Sequence, residues 1–194
     1  MGRIVVSEFI PLDGVIEAPG GEESLGERSG WSIPYFNEET LKFKLDDLLA
    51  SDALLMGRVT YQIHAAVWPS MTDEEGFADR MNNLPKYVVS TTLETVEWNN
   101  SRLISGNIPE EVKKLKQEIQ RDILIDGGSD LVNLLRRHGL IDEYRLLVYP
   151  VVLGTGKRLF QEGGQKTELR LMEARALSTG VVGLTYQPAE TRSA

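Results

Sequence analysis

The chain has 194 residues, of which 41% are hydrophobic, so it is long enough for one large domain with a proper core. Its formal net charge of −8 argues against a nucleic-acid-binding surface, and no apolar run is long enough to span a membrane. Cysteine is absent, which excludes disulfides, thiolate catalysis and Cys-ligated zinc, and is typical of a cytoplasmic protein.

Apolar patterns alternate between the strand period and the helix period along the first part of the chain. The strands predicted there are RIVVSEFI (3–10), ALLM (53–56), KYVVS (86–90) and RLIS (102–105). The helices predicted between them begin after Asn37, at Arg58, within DEEGFADRM (73–81) and at Pro109. For the helix that Asn37 caps, we expect a buried stripe formed by Leu41, Leu45, Leu48 and Leu49.

The stretch DILIDGGSDLVNLL (122–135) places two glycines between a strand-like and a helix-like run. Gly127 and Gly128 would form a sharp turn that favours positive φ. Such a turn leaves the first N–H groups of the helix unpaired and available to an anion. The turn alone has two interpretations: a phosphate site, or simply a bend with Ser129 as the helix N-cap.

Strands dominate after residue 140. EYRLLVYPVVL (143–153) predicts one, and ELRLMEARALS (168–178) and VVGLTYQ (181–187) predict a hairpin across Ser178–Gly180. We therefore expect one α/β domain over residues 1–194, with a mostly parallel sheet and antiparallel C-terminal strands.

Three predicted strand ends share one kind of chemistry. They are followed by Gly57-Arg58-Val59-Thr60, Ser90-Thr91-Thr92 and Gly127-Gly128-Ser129. Because ligands of open α/β sheets lie outside the carboxyl ends of the strands, these turns and hydroxyls could hold the phosphates of a nucleotide. Arg58 could add a charge-assisted contact.

Several sharper motifs are absent. There is no G-x-G-x-x-G fingerprint and no G-x-S-x-G elbow. Gly154-Thr155-Gly156-Lys157 lacks the other residues of a Walker A loop. His64 has no sequence partner at metal or triad spacing, and we expect no metal site.

The order of these segments resembles a known family. IVVSEFIPLDGVIE, LLMGRVTYQ, YVVSTTL, DILIDGGSDLVNLL and LIDEYRLLVYPVVLGTGKRLF are similar to segments of the dihydrofolate-reductase-like superfamily. The chain most resembles the reductase domain of the bifunctional deaminase-reductase of riboflavin biosynthesis and its stand-alone relatives. The resemblance covers nearly the whole chain and is most specific over residues 122–160. It implies a three-layer α/β/α fold and a reductase that binds extended NADPH across the strand ends.

The resemblance also implies which residues bind the cofactor. Those that match its phosphate-holding turns and hydroxyls are Gly57, Arg58, Thr60, Ser90, Thr91, Gly127, Gly128, Ser129 and Leu131. Val15 and Ile16 match the segment beside the nicotinamide.

On the substrate side, Asp126 matches an acidic position near the reacting ring and is the candidate catalytic proton donor. The alternative is an acid that only satisfies N–H groups of the turn. Ser7, Asp13, Gly154 and Gly156 match positions that border the substrate cavity. Their alternative is structural, because Asp13-Gly14 and the two later glycines also fit plain turns.

Two substrate motifs of the relatives are replaced. Dihydrofolate reductases place a pterin-binding carboxylate two residues after the proline of Trp-x-x-Pro; here Phe36 follows Pro34 at that distance, and Glu38 could serve only if the helix is shifted. The Asp-Asp-Pro stretch of the riboflavin-type reductases is YQIHAAVWPS (61–70) in this chain.

Three functions remain in view. The first is NADPH-dependent reduction of a small heterocycle, resembling 5-amino-6-(5-phosphoribosylamino)uracil reductase. The second is a non-catalytic nucleotide-binding or regulatory domain, and the third is a dihydrofolate reductase. We further expect a cytoplasmic homodimer with a small-molecule substrate and no nucleic-acid or membrane partner.

Overall fold

The computed structural model describes residues 1–21, 23–164 and 166–189, which form an α/β fold around one eight-stranded sheet. The strands are β1 (Arg3–Pro11), β2 (Ser51–Gly57), β3 (Lys86–Val89), β4 (Ser101–Ile104), β5 (Asp122–Ile125), β6 (Glu143–Tyr149), β7 (Leu169–Ala176) and β8 (Val182–Pro188). Their order is β4-β3-β2-β5-β1-β6-β8-β7. The first six are parallel and the last two antiparallel, which confirms the predicted fold class. The last five residues of the predicted 1–194 domain lie outside the described part of the chain.

Helices cover both faces of the sheet. They are α1 (Glu38–Ala50), α2 (Arg58–Val67), α3 (Phe77–Asn83), α4 (Ile108–Glu118) and α5 (Ser129–Arg137). Residues of α1, α2 and α3 pack with Val5, Leu54 and Leu124 on one face. Residues of α4 and α5 pack with Ile4 and Ile123 on the other, so the molecule has three layers. Among the described residues, no helix is long and apolar enough to cross a membrane.

The predicted strand over residues 143–153 is shorter in the structure. It ends at Tyr149, before Pro150, whose ring removes the N–H that a further rung of the ladder would need. The predicted hairpin near the C-terminus is confirmed as β7 and β8.

Helix α1 begins as predicted. The Asn37 side chain accepts hydrogen bonds from the backbone N–H groups of Glu39 and Thr40, and Thr40 accepts one from the N–H of Asn37. This capping box satisfies N–H groups that the helix end would otherwise leave unpaired.

The predicted buried stripe of α1 is wrong. Leu48 is buried, but Leu41 and Leu45 are half-buried and Leu49 is 50% exposed. The helix instead turns polar residues toward the sheet: Thr40, Lys44 and Asp47. Burying such groups is unfavourable unless each one finds a hydrogen-bonding or charged partner, and the sheet supplies these partners.

Candidate functional site

Parallel pairing brings the three predicted turns to one rim of the sheet. β2 lies between β3 and β5, and Gly57 pairs with Val89, the residue before Ser90. Leu54 of β2 pairs with Leu124 of β5, which places Gly57 at the level of Gly127, three residues further along each strand. The turns after β2, β3 and β5 are therefore neighbours at the carboxyl ends of their strands, as the sequence predicts.

The glycine turn has the backbone that the sequence predicts. Gly127 and Gly128 have φ values of +94° and +98°, a region that side chains other than glycine rarely enter. A β-carbon placed on Gly127 would lie 3.2 Å from Cγ2 of Thr60, at the start of α2. The turns after β2 and β5 thus approach each other closely.

Both helices that start at this rim have open N-termini. Gly57 is the N-cap of α2 and Gly128 is the N-cap of α5, and neither end carries a side-chain capping bond. The suggestion that Ser129 caps α5 is wrong, because Ser129 is already the first helical residue and is buried. Two adjacent sets of helix N–H groups remain for an anionic ligand.

The polar side chains along this rim differ in accessibility. Arg58 is exposed and donates to Gln62 Oε1 at 3.0 Å within its own helix. Ser90 is buried, and its hydroxyl oxygen accepts the N–H groups of Thr92 and Leu93. Thr91 is exposed. Among the polar residues predicted to bind the cofactor on these three turns, Arg58 and Thr91 are the ones with exposed side chains.

Asp126 forms an ion pair with a lysine from α1. Lys44 Nζ lies 2.6 Å from Asp126 Oδ1 and 2.8 Å from Ser7 Oγ, and Ser7 donates in turn to Asp47 Oδ2 at 2.7 Å. Burial alone would raise the pKa of Asp126, but the charges of Lys44 and His64 outweigh it and hold that pKa below its usual value. Burial acts to lower the pKa of Lys44, yet Asp126 and Asp47 raise it overall. The site therefore contains an ammonium–carboxylate pair.

Glu8 lies on β1 next to this pair and stays protonated near neutral pH. Its Oε1 atom is buried and has no hydrogen-bond partner among the described residues. Burial and the nearby charge of Asp126 raise its pKa to about 8, although Lys44 and the backbone of Gly127 lower it in part. A buried acid with one unsatisfied oxygen is unusual in a structural core and is typical of functional sites.

Further charged residues contact Asp47 and extend the network of ion pairs away from the rim. Arg145 of β6 contacts Asp47, Asp122 and Glu143, at N···O distances of 2.9, 3.0 and 2.6 Å. Arg3 of β1 contacts Asp122 and Glu143 as well. Helix α1 is thus joined to β1, β5 and β6 through charges.

A second pair of loops meets beside the rim. Asp13 Oδ2 accepts the N–H groups of Leu153 and Gly154, at 3.1 and 2.7 Å, which favours the structural interpretation of Asp13. Val15 is fully buried and bridges to Arg158. A β-carbon on Gly156, whose φ is +119°, would lie 2.7 Å from Val15 Cγ1, so this glycine is needed for close approach.

The other predicted site residues take these places. Ile16 is half-buried against the main core, and Leu131 is buried within it, so Leu131 offers a ligand its backbone rather than its side chain. Ser7 is fully buried, between Lys44 and Asp47. Phe36 and Glu38 are both exposed, and Glu38 is the first residue of α1.

The mostly parallel sheet makes this an open α/β protein, a class in which ligands bind outside the carboxyl ends of the strands, and the adjacent glycine turns lie at those ends. The chain belongs to the family of the RibD C-terminal domain, whose sequence model matches residues 3–183. It is 34% identical over 187 residues to the uncharacterized protein YyaP of Bacillus subtilis (strain 168), covering 95% of this chain and 94% of that protein.

Two solved structures show the same fold at low sequence identity. Acinetobacter baumannii RibD gives a TM-score of 0.65 at 15% identity, covering 98% of this chain and 59% of that one. Dihydrofolate reductase from Enterococcus faecalis, complexed with NADP(H), gives a TM-score of 0.63 at 15% identity, covering 97% of each chain. The predicted membership and the dihydrofolate-reductase-like fold are confirmed.

The main omission of the sequence analysis is Lys44. The sequence did contain a pattern that indicates a polar face on this helix, because Thr40, Lys44 and Asp47 share one face at three- and four-residue spacing. Ser7 and Arg145 are polar residues within mostly apolar strands, and such residues indicate where that polar helix face could find partners.

Proposed function

We propose that the protein is an NADPH-dependent reductase of a small heterocyclic substrate that carries a C=N or C=O bond. The observation that carries the proposal is the arrangement of the rim: two open helix N-termini lie side by side, with the Lys44–Asp126 pair near one of them. Family membership supports a reductase-type activity.

The residues at the rim fit a dinucleotide. Gly127 and Gly128 leave a space next to Thr60, here called the glycine cradle, which a β-carbon at either position would narrow. The helix N–H groups beside this cradle suit a pyrophosphate. Arg58 and Thr91 are exposed at the end of the rim where an adenosine 2′-phosphate would lie. When bound, NADPH supplies the hydride, and the protein contributes orientation and a proton.

Within this proposal, the Lys44–Asp126 pair is the proton-handling group. The Asp126 side chain is more exposed to solvent than its partner: 27% of it is exposed, against 9% of the Lys44 side chain. Because Asp126 is ionised, the proton passed to the substrate comes from one of its two protonated neighbours, the Lys44 ammonium or the Glu8 carboxyl, and Asp126 orients the ammonium. This assignment differs from the sequence-based prediction, in which Asp126 itself donates the proton.

Cofactor preference gives the first test. Saturating NADPH, at about 100 times its Kd, is expected to stabilise the fold by about 2.7 kcal/mol, which raises the Tm by roughly 5–10 °C. NADH is expected to give a smaller shift, because it lacks the phosphate that Arg58 and Thr91 would contact. The measurement is a thermal melt with each nucleotide in turn.

The matched variants for this test are Arg58→Ala and Arg137→Ala. Both remove an exposed arginine, but Arg137 lies in the last turn of α5, at the helix end away from the rim. Arg58→Ala should reduce the difference between the two nucleotides, and Arg137→Ala should leave it unchanged. Equal shifts with NADPH and NADH in the parent would contradict this phosphate contact.

The glycine cradle gives the second test. Gly128→Ala is expected to weaken NADPH binding at least tenfold, because its methyl group enters the cradle 3.4 Å from Thr60 Oγ1 at a φ of +98°. Gly139→Ala is the control, since Gly139 has positive φ beyond the other end of α5 and open space around it. Calorimetric titration of both variants measures the effect; equal affinity in the two would refute the cradle.

A nucleotide-binding domain without catalysis is the second candidate, favoured by the replacement of the family's acidic substrate stretch with YQIHAAVWPS (61–70). NADPH consumption with pteridine and aminouracil-type substrates separates the two candidates. Binding without any consumption would favour the second. Dihydrofolate reduction is disfavoured because Phe36 replaces the pterin carboxylate. We also propose a cytoplasmic homodimer.

A further inference from the structure

Glu8 of β1 lies level with the glycine turn. Val6 pairs with Ile125 of β5, and Glu8 and Gly127 each follow this pair by two residues. Glu8 is only 6% exposed, and the backbone N–H of Gly127 interacts with its carboxyl. The Glu8 carboxyl is therefore buried directly beside the turn that follows β5.

The Glu8 side chain points to the face of the sheet that α5 covers. Its neighbour Ser7 donates a hydrogen bond to Asp47 of α1, and successive residues of a strand point to opposite faces. Val6, which shares a face with Glu8, packs in the same core cluster as Leu131 of α5. Glu8 thus lies on the side of the sheet where α5 begins, and the open N-terminus of that helix is formed by the same turn.

One oxygen of this buried acid is left unsatisfied. Glu8 Oε1 makes no hydrogen bond within the described part of the chain. An unsatisfied oxygen in a buried acid has a cost that packing alone does not explain. Because this acid also borders an open helix N-terminus, the pair of features indicates a ligand-binding role for Glu8.

The charged groups around Glu8 come from several elements. Burial raises the pKa of the carboxyl most, Asp126 of β5 raises it further, and Lys44 of α1 acts against both. On the surface, Asp130 in the first turn of α5 and Lys157 after β6 are 76% and 64% exposed and lie 3.7 Å apart. Strand β6 places an apolar residue opposite Glu8. Because Lys44 offsets Asp126, ionisation of Glu8 would add an uncompensated negative charge beside the turn.

We propose that Glu8 belongs to the dinucleotide site and that this site binds its ligand with the Glu8 carboxyl protonated. The inference rests on the proposed function, because it takes the diphosphate of the cofactor to lie at the glycine turn. An anion at the turn and an ionised carboxyl beside it repel each other, and buried charges are screened poorly. The ligand therefore retains the proton on Glu8, and loss of that proton weakens binding. This role concerns binding alone and is separate from the proton that the site passes to the substrate.

Dinucleotide affinity is expected to fall as the pH rises through the pKa of Glu8 in the free protein, which is about 8. The affinity is fully present below that pKa, because the carboxyl is then neutral with and without the ligand. Above it, the affinity falls by up to about tenfold per pH unit until the pKa of the complex is reached. We expect the ligand to raise the pKa of Glu8 by about one unit or more, which makes the loss about fivefold or more between pH 7 and pH 9.

Calorimetric titration of the full chain with NADPH and with NADH, from pH 7 to pH 9, tests the inference. Both nucleotides carry the same diphosphate, so both should lose affinity by the same factor. Glu8→Gln keeps the size of the side chain and stays neutral, so its affinity should be constant over this range. Asp130→Asn is the control, because it removes an exposed acid from the first turn of α5 and should keep the pH dependence of the parent.

Nuclear magnetic resonance of carboxyl-labelled glutamate reads the same proton directly. The Glu8 signal, identified by its absence in Glu8→Gln, should titrate near pH 8 in the free protein and about one unit higher or more with NADPH bound. An affinity of the parent that is constant to pH 9, or that falls equally in Glu8→Gln, would overturn the inference and leave the proposed function standing. Absence of binding by either nucleotide at every pH would overturn both. Circular dichroism at each pH checks that the variants are folded.

Discussion

Replacing Asp126 by asparagine is expected to lower the rate of reductase turnover about 100-fold to 10,000-fold. This is the range over which a positioned acid–base group acts. The change leaves the buried Lys44 ammonium without its carboxylate, which is 2.6 Å away in the structure. Loss of one partner of a buried pair should also lower the free energy of unfolding by about 3 kcal/mol. Substrate-dependent NADPH oxidation and urea unfolding measure the two effects separately.

The chain contains a matched control for this variant. Lys116 and Asp142 form a second ion pair of 2.6 Å, with side-chain exposures of 10% and 35% against 9% and 27% for Lys44 and Asp126. Asp142 lies just before β6, at the opposite end of the sheet from the rim. Asp142→Asn should lose similar stability but keep turnover and NADPH affinity. If both variants lose turnover alike, or if Asp126→Asn keeps it, Asp126 has only a structural role.

Replacing Glu8 by glutamine is expected to stabilise the protein at alkaline pH. Burial, with help from Asp126, raises the pKa of Glu8 to about 8, against 4.5 for a free glutamate. Between these values the unfolded chain has released a proton that the native chain retains, so native stability falls as pH rises. The slope approaches about 1.4 kcal/mol per pH unit. Glutamine carries no titrating proton, so this fall disappears in the variant.

Urea unfolding at pH 5 and pH 8 measures this difference. Glu8→Gln and the parent should be close in stability at pH 5, and the variant should exceed the parent by on the order of 3 kcal/mol at pH 8. Glu162→Gln is the control, because that glutamate side chain is 96% exposed and makes only a 3.9 Å ion pair. A gain that is the same at both pH values would show that Glu8 is ionised in the native protein. Reduced turnover in a stabilised variant would give the buried acid a functional role.

Local sequence patterns predicted the parts of the site that local chemistry decides. The glycine turn follows from two adjacent glycines after an apolar strand, and the structure gives both of them positive φ. The Asn37 cap follows from one polar residue before a helix. Neighbouring strand ends met at one rim because parallel strands share their direction, and that inference needed no knowledge of the strand order.

The rest depended on contacts between distant parts of the chain. Leu41 and Leu45 were expected to face the sheet, because apolar residues at helical spacing normally do so. Lys44 faces it instead, since Ser7 and Asp126 lie 37 and 82 residues away in sequence and meet its ammonium only in the folded chain. Asp13 likewise binds the backbone of Gly154, 141 residues away.

The way in which α1 is fixed to the sheet constrains how this chain can diverge. An apolar contact tolerates gradual change in side-chain size, but a charge that faces another charge tolerates no single neutral replacement without leaving its neighbour stranded. Asp47 and Arg145 belong to one such set, together with Asp122 and Glu143. Natural variation at these positions is therefore expected to arise as coordinated substitutions, and the set should be gained or lost as a whole among homologous chains.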